Sequence, residues 1–345
     1  MTGAKNMKGV ALVCSALCLA HCATGGSETG SSGPTRAAAL TDPPARTGAP
    51  TLLIAMPSSP NFVEVRKSLV SEVQKNFNIR TFVVGPETKA ADLAAAIQAA
   101  NPVCVVLMNN ATINLYYQVQ KSNPTAKTPT AVLLMASFIE EAQTRLRGAT
   151  GIAYEVPGVT AFVHLRSVIG TPVNRVGVIY RPPFQTFIQR QTALAAKEHV
   201  EIISVSVPND VTAAGLREVL HQLARKSKVD AVWMLNDNGL VRDAEFVDDT
   251  WRSELSDAKM PLIVGVPNLV EPSSPLGTLA VVPDHEALGL QAANLLFDLS
   301  ENNWQVEAHP VELPLSVKTV VDIKQVRADF GLRADALKHI DRALE

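Results

Sequence analysis

The chain has 345 residues, of which 47% are hydrophobic and 19% are charged, and its formal net charge is −2 at pH 7. Because this charge is near neutral and no basic cluster occurs, nucleic acid is disfavoured as the main partner. The length and the hydrophobic content suffice for one large domain or two modest ones with well-filled cores. The cysteines show no disulfide framework and no metal-type spacing, so we expect no metal and no cofactor.

The first 22 residues are typical of a bacterial export signal that ends in a lipidated cysteine. Lys5 and Lys8 precede a short apolar run, which is too short for a permanent membrane span. We predict that Cys22 carries the lipid, because it lies where the apolar run gives way to a polar segment. His21 occupies the preceding position, where lipoprotein signals have a small residue, so an ordinary cleaved secretory signal is the alternative.

Residues 23–50 are rich in Gly, Ser, Thr, Ala and Pro and contain few large apolar side chains. Such a composition buries too little surface to fold, which predicts a flexible tether. We therefore expect the remainder of the chain on the periplasmic side of the cell envelope, anchored to a membrane by lipid.

From residue 51 onward, short β-branched runs alternate with segments of helical period. Each run is nearly continuous in apolar residues and is bounded by Pro, Gly, Asn or Asp, as in strands that helices cover on both faces. The strand candidates are Thr51–Met56, Ile79–Val84, Val103–Met108, Thr130–Ala136, Arg175–Tyr180, Glu201–Val207, Asp230–Leu235, Pro261–Val266 and Thr278–Val282, with a last one at Pro310–Val317.

The intervening segments fit helices. Phe62, Val65, Leu69 and Val73 recur at spacings of three and four, which places them on one helical face. Strands that alternate with helices over this length indicate an α/β class with parallel sheets.

The Gly-punctuated segment 145–158 separates two similar series of strand–helix units. This duplication predicts two Rossmann-like lobes, joined by several extended crossovers that act as a hinge. We assign residues 51–150 plus 277–309 to the first lobe and residues 151–276 plus 310–345 to the second.

Four segments of the chain resemble a known family. They are Asn174–Tyr180, Val229–Trp233 followed by Asn236–Asn238, Lys259–Val264, and Pro283–Gly289. In order and spacing they resemble the substrate-binding proteins of ABC transporters, of the type I periplasmic-binding-protein fold, and most of all the binders of aromatic amino acids. The resemblance covers roughly residues 148–337 and implies two lobes that close over a small solute and deliver it to a membrane permease.

In open parallel sheets, ligands bind beyond the carboxyl ends of the strands, so the residues that follow the strands are the site candidates. They are Ser58, Ser59, Asn109, Asn110 and Ser137 in the first lobe, Tyr180, Arg181, Phe184, Asn236, Asp237, Asn238 and Asn268 in the second, and Asp284 near the recrossing. Arg181 could pair with a ligand carboxylate and Asp237 with an ammonium group, and His285 could line the cleft. For any single member, a turn or helix-cap role is the alternative, and the ligand interpretation rests on their convergence.

The leading hypothesis is a lipid-anchored, monomeric solute-binding protein that closes over a small polar ligand such as an amino acid. The alternative is an envelope lipoprotein without a transport role, a sensor or scaffold that reuses this fold; the weaker resemblance of the first lobe favours it. An exported enzyme is the third possibility, and we expect no enzyme, because no phosphate loop, nucleophile elbow or HExxH motif occurs.

Overall fold

The computed structural model describes residues 40–243, 245–271 and 276–345. The predicted export signal, Cys22 and the tether up to residue 39 lie outside the described residues. The end of the predicted tether is packed against the fold, because Asp42 forms an ion pair of 2.8 Å with Arg66 and accepts a hydrogen bond from Thr81. The tether boundary predicted at residue 50 is therefore too late, since apolar content alone does not reveal a segment held by polar contacts.

The first lobe contains a five-stranded parallel sheet of order β2-β1-β3-β4-β5. Leu52 and Ile54 belong to the core on one face, whereas Leu53 and Ala55 belong to the core on the other. Both faces are thus buried, as the continuous apolar runs predict. The strands are β1 (Thr51–Met56), β2 (Asn78–Val83), β3 (Cys104–Met108), β4 (Thr130–Leu134) and β5 (Ala149–Gly151). The helices between them are α1 (Pro60–Val73), α2 (Ala90–Ala100), α3 (Asn110–Ser122) and α4 (Ile139–Arg145).

The second lobe contains a seven-stranded sheet of order β12-β11-β10-β9-β8-β6-β7. All its pairings are parallel except that of β10 with β11. The strands are β6 (Arg175–Tyr180), β7 (Glu201–Ser206), β8 (Ala231–Trp233), β9 (Leu262–Val264), β10 (Leu279–Pro283), β11 (Val317–Asp322) and β12 (Arg342–Leu344). The predicted α/β class with two parallel-sheet lobes is confirmed.

The helices that follow in the chain are α5 (Gly158–Val168), α6 (Gln185–Lys197), α7 (Ala213–Arg225), α8 (Ser253–Ala258), α9 (His285–Glu301) and the single turn α10 (Ile323–Gln325). Wider π-type turns occupy Glu245–Arg252 and Val326–Phe330, and short 3-10 turns occupy Pro182–Phe184, Pro267–Leu269 and Ala336–His339.

Several helices begin where the sequence supplies a start signal. Pro60 opens α1 with a φ angle already suited to a helix. The side chain of Asn109 accepts the Thr112 backbone N–H at the start of α3, and Asp284 accepts that of Glu286 at the start of α9.

The chain passes between the lobes after β5, after β10 and again before β11. The strand β10 pairs with β9 and β11 in the second sheet, although we predicted that residues 277–309 belong to the first lobe. From α9 onward that range does pack on the first lobe: Leu288 and Leu296 join the core formed by β1 and α1, and Trp304 packs against it. The predicted crossing falls one strand too early, because a buried apolar strand carries no signal of which sheet it enters.

Candidate ligand-binding cleft

The loop after β4 and the start of α6 bring the lobes into contact through aromatic rings. The ring of Phe138 lies 4.4 Å from that of Phe184 and 5.2 Å from that of Phe187, centroid to centroid. Phe138 has a left-handed backbone with φ of 55°, which is unusual for a large side chain. Glu140 on α4 also forms an ion pair with Arg190 on α6. The strand ends of the two sheets therefore face each other across a closed cleft.

A small cavity of about 30 Å³ remains between the strand ends. Its lining includes Phe138 of the first lobe, Trp233 and Asn236 of the second lobe, and Tyr154 and Glu155 of the first crossover. This volume is about that of one water molecule. The lobes must separate before a solute reaches this position.

Glu155 is the acidic group that borders this inner cavity. One of its carboxylate oxygens accepts the backbone N–H of Phe138 at 2.9 Å, which ties the first crossover to the loop after β4. Burial raises the pKa of Glu155 to about 7, against the lowering effect of the backbone N–H groups. The carboxyl group therefore exchanges its proton near neutral pH.

A chain of three side chains joins the first two crossovers to α1. The hydroxyl of Tyr154 lies 3.0 Å from Nε2 of His285, and Nδ1 of His285 lies 3.1 Å from a carboxylate oxygen of Glu64. His285 is buried, and burial also raises the pKa of Tyr154. We predicted that His285 could line the cleft. In the structure it lies next to Tyr154, which lines the inner cavity, and its two ring nitrogens contact Tyr154 and Glu64.

Arg181 and Asp237 form an ion pair with each other. Nε of Arg181 donates to Asp237 at 2.7 Å, and the carboxylate also accepts the Gly239 N–H at 2.9 Å. Asp237 is only 2% exposed. That Arg181 binds a ligand carboxylate and Asp237 a ligand ammonium group stays a prediction. In the structure, the two side chains are partners of each other.

Asn110 and Ser137 meet at the edge of the first sheet. The Asn110 side chain accepts the Ser137 backbone N–H at 2.7 Å and donates to its carbonyl at 3.1 Å, so the amide fixes the loop that leads to Phe138. Asn109 caps α3. Ser58 and Ser59 are exposed before α1, and the Ser59 side chain makes no capping hydrogen bond.

The remaining candidates of the second lobe have separate surroundings. Asn236 lies over Gly265 and borders the inner cavity. Asn238 and Asn268 are exposed, and Tyr180 packs against the core of its own lobe. Asp284 caps α9 and pairs with Lys318 at 2.9 Å. Of the predicted site residues, only Asn236 borders the inner cavity. Phe184 does not border it, but its ring packs on that of Phe138, which does.

Sequence reasoning did not select Phe138, Tyr154, Glu155 or Phe187 as site residues. Tyr154 and Glu155 lie in a crossover rather than directly after a long strand, and Phe187 is two residues inside α6. Trp233, predicted as core, is buried against Phe162 and also borders the cavity. The scarcity of aromatic residues, 5% of the chain, is the signal that could have drawn attention to Phe138, Phe184 and Phe187.

Among the described residues, no group of three or more His, Cys, Asp or Glu side chains could hold a metal ion. None of the helices in residues 40–243, 245–271 and 276–345 combines the length and apolar character needed to cross a membrane.

No protein-family model and no curated protein matches the chain. Solved structures do match. An ABC domain in complex with L-Trp from Streptococcus pneumoniae is 16% identical, with a TM-score of 0.54 over 85% of this chain and 100% of that one. The ligand-free, open structure of a substrate-binding protein with adhesive properties from Clostridium difficile is 12% identical, with a TM-score of 0.63. The match covers 86% of this chain and 99% of that one. A conserved domain protein from Vibrio cholerae is 16% identical, with a TM-score of 0.56, and the match covers 86% of this chain and 99% of that one.

These likenesses, at 12–16% identity, establish the fold. The chain has the type I periplasmic-binding-protein fold, in which two α/β lobes are joined by crossovers, as the resemblance in the sequence implied.

Proposed function

We propose that this protein is the extracytoplasmic solute-binding component of an ABC-type uptake system. The observation that carries the proposal is the inner cavity, which residues of both lobes and of a crossover line together. A solute that contacts both lobes at such a position stabilises the closed arrangement relative to the open one. Solute binding thus raises the population of the closed form, which is the form that a permease recognises.

The predicted strand-end residues supply the polar surroundings in this proposal. Asn236 reaches the ligand from the second lobe, and the Asn110–Ser137 corner positions Phe138 in the first. The contacts Phe138–Phe184 and Glu140–Arg190 close the cleft around the solute. The ligand is a small polar solute, for which an amino acid is the first candidate.

The proposal also places the protein at the cell envelope. Lipid on Cys22 would hold it to the membrane, and the segment up to residue 39 would give it reach toward the permease. In this arrangement the two-lobed unit works as a monomer, because the binding cavity needs no second copy.

Thermal unfolding of the full chain against a panel of amino acids, amines, sugars and carboxylates tests the proposal. A solute present at about 100 times its Kd is expected to stabilise the protein by roughly 2.7 kcal/mol. Small-angle X-ray scattering with the same solute should then show the smaller radius of gyration of a closed form. A folded protein that responds to no member of the panel would contradict the proposal.

A further inference from the structure

A second and much larger cavity lies beside the inner one. It has a volume of about 630 Å³ and opens between α4 and α6, along the first and third crossovers. We call it the side cavity and define it by Phe138, Thr144, Glu155, Phe187, Arg190 and Leu313. Sites for small molecules usually measure about 300–1,000 Å³, so the side cavity has room for a whole ligand where the inner cavity does not.

The two cavities share a wall. Phe138, Glu155 and Phe187 border both of them. The aromatic rings of this wall come from both lobes, and the carboxyl group comes from a crossover. A ligand in the side cavity would therefore contact both lobes and the first crossover at once.

The charges of the side cavity favour a cation. Arg190 is the one basic side chain among the described residues that line it, and it forms an ion pair with Glu140. Glu141 and Glu155 also line the cavity and add two further carboxyl groups. Carboxylates next to aromatic faces bind a protonated nitrogen attached to a flat or apolar body.

We propose that the side cavity binds amines with a ring-containing or apolar body. The protonated nitrogen of the amine pairs with the Glu155 carboxylate, and the ligand needs no carboxylate of its own. The inference rests on the proposed function, since the cavity lies between the two lobes. It differs from the zwitterionic ligand expected from Arg181 and Asp237, because those two groups neutralise each other.

The protonation of Glu155 gives the binding a pH signature. Its pKa is about 7 in the protein, so the carboxylate that a cation needs is present at pH 8 and largely lost at pH 6. The charged groups that face it are Glu140 on α4 and, across the cavity, Arg190 on α6, with Tyr154 beside it in the crossover. The pKa of Arg190 is raised by its hydrogen bond to Glu140 and that of Tyr154 by burial, so neither side chain changes its charge between pH 6 and pH 8.

Three indole compounds that differ in charge test the inference by isothermal titration calorimetry on the full chain. Tryptamine is a cation, L-tryptophan is a zwitterion and indole-3-acetate is an anion, while the ring is the same. At pH 8 tryptamine is expected to bind at least tenfold more tightly than the other two, and about tenfold more weakly at pH 6 than at pH 8. Phenethylamine serves as a second, smaller cation.

Two variants locate the ligand. Glu155→Gln removes the charge, and it is expected to weaken tryptamine binding at pH 8 at least tenfold and to abolish its pH dependence. Thr144→Trp adds bulk at the exposed rim of the side cavity and leaves the Glu155 carboxyl group in place, and it should also prevent binding. Glu301→Gln, at the exposed end of α9, is the matched control, and thermal unfolding of each free variant verifies the fold.

The possible outcomes separate this inference from the proposed function. If L-tryptophan or indole-3-acetate binds more tightly than the amines, or if neither amine binds, the inference is overturned while a solute-binding role survives. Tryptamine binding that Thr144→Trp leaves intact would place the ligand elsewhere and would also overturn it. A protein that binds no solute of the wider panel fails the proposed function itself.

Discussion

The Asp237 carboxylate is buried at the end of a strand, and its negative charge is balanced by Arg181. Their bidentate contact and the Gly239 N–H satisfy the carboxylate oxygens. The Arg181 guanidinium also lies 5.9 Å from the centre of the Phe184 ring. This pair therefore shapes the corner from which Phe184 reaches across to the first lobe.

Replacing Arg181 by Met tests the structural role of the pair. The buried carboxylate would lose its partner, which costs about 3 kcal/mol in the free energy of unfolding. Arg175→Met is the control, because the Arg175–Glu201 pair is exposed and such pairs contribute about 1 kcal/mol or less. Urea unfolding curves of both variants give the comparison. Equal stabilities would mean that the buried pair does not support the fold and that Arg181 is available to a ligand.

The individual site residues were only partly predictable from the sequence. The rule that ligands bind beyond strand ends selected Asn236, which borders the inner cavity. It also selected Asn109 and Asp284, which cap helices, because the same small polar side chains serve both purposes. Glu155 follows no long strand, and its raised pKa depends on packing that no sequence pattern records.

At the level of elements, α9 is held to α1 by close backbone contact at Gly289. A Cβ atom at this position would lie 2.7 Å from the carbonyl oxygen of Val65 and 2.8 Å from the backbone nitrogen of Leu69. The Ser68 hydroxyl also donates to the Glu286 carbonyl at 2.7 Å. Only glycine permits this separation of the two helices.

Gly289→Ala is therefore expected to destabilise the protein by roughly 2 kcal/mol, because the helices must move apart and lose packing. Gly215→Ala is the matched control on the exposed side of α7, where the nearest atom would be 3.4 Å away. There the better helix propensity of alanine should leave stability unchanged or raise it by up to about 1 kcal/mol. Urea unfolding of the two variants checks the prediction, and similar effects at both positions would contradict it.

The helices and strands themselves were largely predictable, because a strand that is buried on both faces has a continuous run of apolar residues in the sequence. β1 and β6 have the predicted bounds, and most others differ by one or two residues. The strand predicted at Pro310–Val317 begins at Val317, since residues before it form the third crossover. β5 and β12 were missed because neither is a continuous apolar run: β5 reads Ala-Thr-Gly, and β12 is a partly exposed edge strand that contains Arg342.

At the scale of the whole molecule, the described residues link the lobes outside the crossovers through one aromatic cluster and one ion pair. Phe138 packs on Phe184 and Phe187, and Glu140 pairs with Arg190. Exposed ion pairs contribute about 1 kcal/mol or less, and an aromatic pair about 0.5–1.5 kcal/mol. The closed arrangement is thus stabilised by an amount that a bound solute can readily add to or replace.

Glu140→Gln should shift the unliganded protein toward the open form, by up to about fivefold in the ratio of the two states. Glu141→Gln is the control, because it changes the neighbouring carboxyl group of the same helix without touching the Arg190 pair. The radius of gyration from small-angle X-ray scattering should increase for Glu140→Gln only. The same increase in both variants would show that net charge, rather than this contact, governs closure.

The position of α9 has a consequence for biosynthesis. One face of the first sheet, including Leu52 and Ile54, is covered by Leu288 and Leu296. A ribosome makes those covering residues more than 230 positions after β1. This face of the first sheet therefore stays partly exposed until α9 has been synthesised, and a chaperone or a secretion machine that handles unfolded chains can engage it throughout that interval.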